Sequence, residues 1–316
     1  MKIRFRYSLK WFLLGTTLIA VLAGTVGKRL FDMWQSRQEL AAQEKARLRL
    51  MELGVQIHPL NGSGVVSVQF PAQKFTSRDF ELLRRLPSFE NIDLASTGFA
   101  DADLPALANC RELKMLSIDG NAGITDKSVK SLAQLTELEF LGLSKTGVTD
   151  ESFKYIAGLQ KLKGLHLVST NISSKGLAGL GSHPTLQNLD LSYTLVDDEV
   201  FPAIAQLPRL ERLRLEHTRV HGHGISALAR MPHLKAVDLH YCELQDGSGF
   251  EELHQVESLY LDGVKIPPGF LRHVAKMRGL RTLRLLDSEI TREHLAELAE
   301  AKQIARIAYR KTPANE

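Results

Sequence analysis

The sequence predicts an α/β solenoid, a curved parallel sheet with short helices on its outer side, preceded by an N-terminal membrane-spanning helix. Three observations carry that prediction. Apolar residues return with one spacing from residue 65 to about residue 308. Within each return they alternate as in a strand and then step as on a helix face. At the start of the chain an uncharged stretch sits between basic residues.

The first ten residues hold Lys2, Arg4, Arg6 and Lys10 and no acid. They account for the whole formal charge of +4, since the rest of the chain carries 36 basic and 36 acidic groups. A nucleic-acid binder carries its excess charge on the folded body, so no nucleic-acid partner is expected.

From Trp11 to Gly27, "WFLLGTTLIAVLAGTVG", seventeen residues pass without a charge before Lys28 and Arg29. That length is the lower limit for a bilayer-spanning helix and slightly long for a signal-peptide core. An uncleaved signal-anchor at 11–27 with the head 1–10 in the cytoplasm is the first reading; cleavage near Val21-Leu22-Ala23 is the second. Either places the remainder on the periplasmic or extracellular side of a membrane. No cysteine precedes Cys110, which removes a lipid anchor.

Residues 28–54 are rich in helix formers and mixed charge and read as a helical stalk. Trp34, Ala41 and Leu48 fall seven apart, but Arg37 and Glu44 occupy the second row of a coiled coil. A solvated or surface-lying helix is therefore expected. Residues 55–64 alternate toward Asn61-Gly62-Ser63-Gly64 and predict a capping hairpin with the strand that follows.

With Leu138 as position 1, apolar residues stand at positions 1, 4, 6, 11, 16, 19 and 22. The frame opens at Val65, Phe89, Leu113, Leu138, Leu162, Leu186, Leu210, Leu234, Val256, Leu280 and Ile304. Every interval is 24 or 25 except the 22 between Leu234 and Val256, where "DGSGF" at Asp246 shortens the helix. Positions 4 and 6 define the strand, and 16, 19 and 22 the helix face. Between them stand Thr125-Asp126, Thr149-Asp150, Ser173-Ser174 and Asp197-Asp198, whose second residues are expected to be helix N-caps. Pro87, Pro184, Pro208 and Pro232 at position 23 stop the helix. One such unit cannot offset the ordering of its own backbone, so units must stack, here as ten repeats over 65–303 followed by a terminal strand and tail, 304–316.

The pattern "LxxLxLxxTxITDxxLxxLxxLxx" resembles the leucine-rich repeat family, in the 24-residue form of bacterial membrane-anchored members. The resemblance implies a non-catalytic binding protein and a position-9 ladder that hydrogen-bonds the turns. Thr97, Asn121, Thr146, Thr170, Thr194, Thr218, Cys242 and Ser288 match that ladder, and Val264 departs from it. No F-box-like segment precedes the repeats, so a ubiquitin-ligase adaptor role is not implied.

Catalytic signatures are absent: the chain has no CxxC, no HExxH, no phosphate-binding loop and no nucleophile elbow. No enzyme activity and no cofactor are expected. The two cysteines, Cys110 and Cys242, sit at apolar positions several units apart and read as buried thiols. His217, His221 and His223 have metal-like spacing, but the frame puts them on different sides of a turn, so solvated histidines are the reading.

The inner face is the expected binding surface, because positions 2, 3, 5, 7 and 8 project from a rigid concave sheet. At position 5, His166, Asp190, Arg214, Asp238 and Tyr260 should stand on consecutive rungs, flanked by Tyr193, Glu216, His217, His240 and Tyr241. The carboxylates on either side of Arg214 fit a self-satisfied charge ladder. The tyrosines, arginine and histidines together equally fit an interface centre for a protein or peptide ligand. Self-association as an envelope scaffold and glycan binding stand as alternatives.

Overall fold

The computed structural model describes residues 9–60, 65–86, 89–108 and 110–310, with backbone alone at 9–27, 59–60 and 65–66. The basic head, the side chains of the apolar stretch 11–27, the hairpin tip, Pro87 and the tail 311–316 lie outside the described residues. Among the described residues, no helix is long and apolar enough to cross a membrane.

Helix α1 (Leu9–Glu52) is continuous. Its side chains are exposed from residue 28 to residue 41, but Ala46 and Leu50 are buried against the first turn of the array. Of the two forms the sequence leaves open, solvated or surface-lying, the stalk takes the first from residue 28 to residue 41 and the second at its C-terminal end, where it is docked. Gly54, at φ +84°, ends the helix, and the Val55 amide bonds back to the Leu50 carbonyl. The chain then enters the hairpin of β1 (Gln56–Leu60) and β2 (Val65–Gln69), which pair antiparallel. Together the helix end and the hairpin cover the apolar end of the solenoid, including Val68 and Phe70.

From β2 onward every pairing is parallel and sequential. The strands are β3 (Phe89–Asp93), β4 (Met115–Ser117), β5 (Phe140–Gly142), β6 (Gly164–His166), β7 (Asn188–Asp190), β8 (Arg212–Arg214), β9 (Ala236–Asp238), β10 (Ser258–Tyr260), β11 (Thr282–Leu285) and β12 (Arg306–Tyr309). Most span only positions 3 to 5 of a unit. Position 4 is the middle residue, and Leu141, Leu165, Leu189, Leu213, Val237, Leu259 and Leu283 form one buried row in register. The outer side alternates short α-helices, such as Asp126–Leu132 and Val200–Ile204, with 3-10 turns such as Gly176–Leu180. In the 22-residue unit the helix is reduced to Phe250–Glu252.

The turn pairs act differently from the sequence reading. Thr125 and Thr149, the first residues of their pairs, are the N-caps, accepting from the amides of Lys127 and Glu151. The aspartates reach forward to the next turn instead. Asp126 accepts from the Thr149 amide at 2.9 Å, the Thr149 hydroxyl at 2.8 Å and the Ser152 hydroxyl. Asp101 receives Thr125 and Ser128 in the same way, and Asp150 receives Ser173. Charge-assisted bonds thus tie successive turns on this side.

At position 9 the threonines serve their own turn: Thr170 and Thr194 each donate to the carbonyl three residues back at 2.6 Å. Asn121, Cys242 and Ser288 reach the carbonyl 27 residues back and so join neighbouring turns. Cys110 and Cys242 are both buried and free. Burial pushes the Cys110 thiol up to about 12 and raises Cys242, which disfavours the thiolate at both.

Candidate functional site

The rungs of the inner face run His166, Asp190, Arg214, Asp238, Tyr260, Arg284, each directly beside the next in the strand register. Arg214 does not sit evenly between two carboxylates. Its Nη1 is 3.4 Å from Asp190 Oδ2, while Asp238 turns to His240. His240 is the hub of a separate, largely buried network. Its Nδ1 lies 3.1 Å from Asp238 Oδ1 and its Nε2 3.5 Å from Asp262 Oδ2, and the same Asp262 oxygen is 2.6 Å from Arg284 Nε.

Asp262 was the residue missed in the sequence; it stands at position 7, two residues beyond Tyr260 on the same face, and a frame read at positions 5 and 7 together finds it. Burial raises the Asp238 carboxyl above its ordinary value, opposed by the hydrogen bond from the His240 amide and by the charges of His240 and Arg214. His240 Nε2 and Arg284 Nε are nevertheless buried without a hydrogen-bond partner, so their contacts with Asp262 are ionic proximity alone. Tyr260 packs edge-on to His240 at 5.9 Å, and His166 edge-on to Phe140 at 4.8 Å.

Tyr193, His217 and Tyr241 are not on the sheet. They occupy position 8, where the chain leaves the strand, and all three have left-handed backbone, with φ of 57°, 51° and 54°. Gly120 and Gly263 stand at the same place in their turns, as do Ser96, Lys145, Ser169 and Asp287. The turn takes this conformation at each rung from Ser96 to Asp287; only at three consecutive rungs is it filled by rings. The rings form a column at the rim. Tyr193 and His217 are 4.6 Å apart, and His217 and Tyr241 are 4.6 Å apart with planes 9° from parallel. Tyr193 is 47% exposed and Tyr241 42%, and the Tyr193 hydroxyl donates to Glu216 at 3.0 Å. A Cβ at Gly263 would fall inside the Tyr241 ring, so that glycine is the floor of the column.

The opposite rim has a different character. Position 2 carries alternating charge, paired as Glu90 with Lys114, Glu139 with Lys163 and Lys235 with Glu257, at 2.7–2.9 Å. Those pairs neutralise each other along the array. His221 and His223 flank Asp198, with His223 Nδ1 3.1 Å from its Oδ2, while His217 belongs to the ring column. Among the described residues no group of three or more His, Cys, Asp or Glu is placed to hold a metal ion.

No family model and no curated protein matches the chain. Solved structures do. Internalin C2 from Listeria monocytogenes is similar with a TM-score of 0.50 and 23% identity, over 67% of this chain and 84% of that one. A second internalin of that organism, InlF, gives a TM-score of 0.43 and 17% identity, over 79% of this chain and 87% of that one. The likeness shows the fold: a leucine-rich repeat solenoid of the internalin kind with one long parallel sheet.

Proposed function

We propose that the chain is a non-catalytic recognition module that binds a protein or peptide along the inner face from His166 to Tyr260 and over the rim column. The observation that carries this reading is the column itself. Each ring at position 8 holds a left-handed backbone that glycine adopts without steric cost, at a penalty of roughly 1 kcal/mol per residue. Ser96, Lys145, Ser169 and Asp287 accept the same penalty, so what sets these three adjacent turns apart is that they fill position 8 with rings and leave the two tyrosines nearly half exposed. Tyrosine and arginine are enriched at the energetic centres of interfaces, and Arg214 stands on the adjoining strand.

Protein is favoured over glycan because the rings cover one another's faces. Both faces of His217 are covered and Tyr241 rests on Gly263, which leaves little open ring face on which a sugar could stack. The uncharged stretch at 11–27 and the basic head before it support delivery of the array across a membrane, as an anchor or as a signal that is removed.

The test is a capture experiment from membrane and extracellular extracts with the full chain. Beside it runs a variant with Tyr193→Gly, His217→Gly and Tyr241→Gly, which keeps the backbone conformation. A partner held by the parent and lost by the variant supports the reading. Equal capture by both, or by neither, overturns it.

A further inference from the structure

Helix α1 has a second apolar face. Ala46 and Leu50 are the docked side; Leu50 is fully buried. At about 100° per residue, Leu50 is turned about 200° from Leu30. Leu30, Met33, Trp34, Leu40, Leu48 and Met51 therefore lie on the far side, all between 48% and 63% exposed. Arg37 and Glu44 lie in the middle of that stripe, and neither faces a partner on the array: Glu44 pairs only with Arg47 of its own helix. Leu30, Met33 and Trp34 adjoin the apolar stretch, but Leu40, Leu48 and Met51 stand about 20 Å or more beyond its end at 1.5 Å per residue, and a helix there has no reason to keep such side chains in water along one line.

We propose that this stripe is covered by α1 of a second copy of the chain, running antiparallel. The argument is charge complementarity. In a parallel pair, Arg37 meets Arg37 and Glu44 meets Glu44. In an antiparallel pair centred between Leu40 and Ala41, Arg37 of each chain meets Glu44 of the other. The same centre places Leu30 opposite Met51 and Met33 opposite Leu48. Leu40 falls opposite Ala41 and Trp34 opposite Arg47; apart from that last pair apolar residues meet apolar ones, and Arg37 and Glu44 meet their opposites, which no parallel in-register alignment achieves. The overlap from Leu30 to Met51 is about 33 Å at 1.5 Å per residue. Because each array docks on the reverse side of its helix, the two arrays lie outside the pair. Two copies anchored in one bilayer would hold α1 parallel, so the pair forms between chains not fixed in the same bilayer.

The experiment uses the full chain in detergent, where the N-termini are free to point apart. A chain carrying Leu30→Cys is mixed with one carrying Met51→Cys and oxidised; Cys110 and Cys242 are buried and stay out of the reaction. Mixed Leu30→Cys–Met51→Cys dimers should exceed either homodimer by at least about tenfold, the selectivity that roughly 1.4 kcal/mol of like-charge avoidance gives. In light scattering, Arg37→Glu should weaken the dimer, and Arg37→Glu with Glu44→Arg should restore it. Homodimers predominating at both positions, a monomer at tens of micromolar, or no rescue by the double reversal would overturn the proposal.

Discussion

The imidazole of His217 lies 4.6 Å from the ring of Tyr241 with the planes 9° apart, and both residues have positive φ. Stacking and backbone strain thus act in opposite directions at one residue. Removing the ring loses about 0.5–1.5 kcal/mol of pairing on each side. Glycine then recovers roughly 1 kcal/mol from the left-handed backbone, and alanine does not. We expect His217→Ala to be destabilised by about 1–3 kcal/mol in urea unfolding and His217→Gly by about 1 kcal/mol less than that. Equal losses in the two variants would mean that the column, not the turn, governs this position.

Gly263 tests the column from below. Its φ is +66°, and a Cβ there would occupy the place of the Tyr241 ring. Gly263→Ala should therefore expel Tyr241 from the stack, at a cost of about 1–3 kcal/mol from the clash together with the backbone conformation. Near-ultraviolet circular dichroism reports the tyrosines directly. An unchanged tyrosine signal together with parental stability would show that the ring has another place to go.

The aspartate ladder gives a third prediction. Asp126 accepts from two groups of Thr149 and from Ser152 in the next turn, so its loss leaves several donors without their anion. Asp126→Ala should cost about 2–3 kcal/mol, the range for bonds to a charged acceptor. Thr149→Ala should cost less, because the backbone amide still reaches Asp126. The reverse order in urea midpoints would return the main role to the threonine cap.

The strand half of each unit was legible in the sequence for a physical reason. Residues one period apart become rung neighbours when strands pair in parallel without slipping, so Asp190 beside Arg214 beside Asp238 follows from counting. The turn half was not legible in that way. Thr149-Asp150 looks like a local cap, but the partner of each aspartate is a turn away in space and 23 or 24 residues away in sequence. Position 8 was grouped with positions 2, 3, 5 and 7 as projecting from the concave sheet; its left-handed backbone shows only in the glycines that share it, Gly120 and Gly263. The hub at His240 was half visible, since its partners Asp238 and Asp262 lie on both sides of it on adjoining rungs.

Asp101 and Asp238 should respond to pH with opposite signs. At Asp101 burial would raise the carboxyl, but the hydrogen bonds from Ser128 and Thr125 outweigh it and hold it below 3.8. A carboxyl lowered by folding contributes stability above its unfolded value and loses it as pH falls through the folded one. At Asp238 burial wins and the carboxyl is raised above 3.8. Its contribution is greatest below the unfolded value and is lost as pH rises through the folded one. Relative to the parent, Asp101→Asn should therefore be least harmful in acid below pH 3.8 and most harmful above it. Asp238→Asn should gain on the parent as pH rises from 3.8. The groups facing Asp238 are His240, Glu216 and Arg214; the His240 and Arg214 charges lower the carboxyl and Glu216 raises it. In a His240→Gln background the imidazole's share of that opposition is gone, while the backbone amide and Arg214 remain, and the gain of Asp238→Asn should extend to higher pH. Urea midpoints measured from pH 2.5 to 6.5 decide the matter: offsets that stay constant across the range would mean that neither carboxyl is linked to folding.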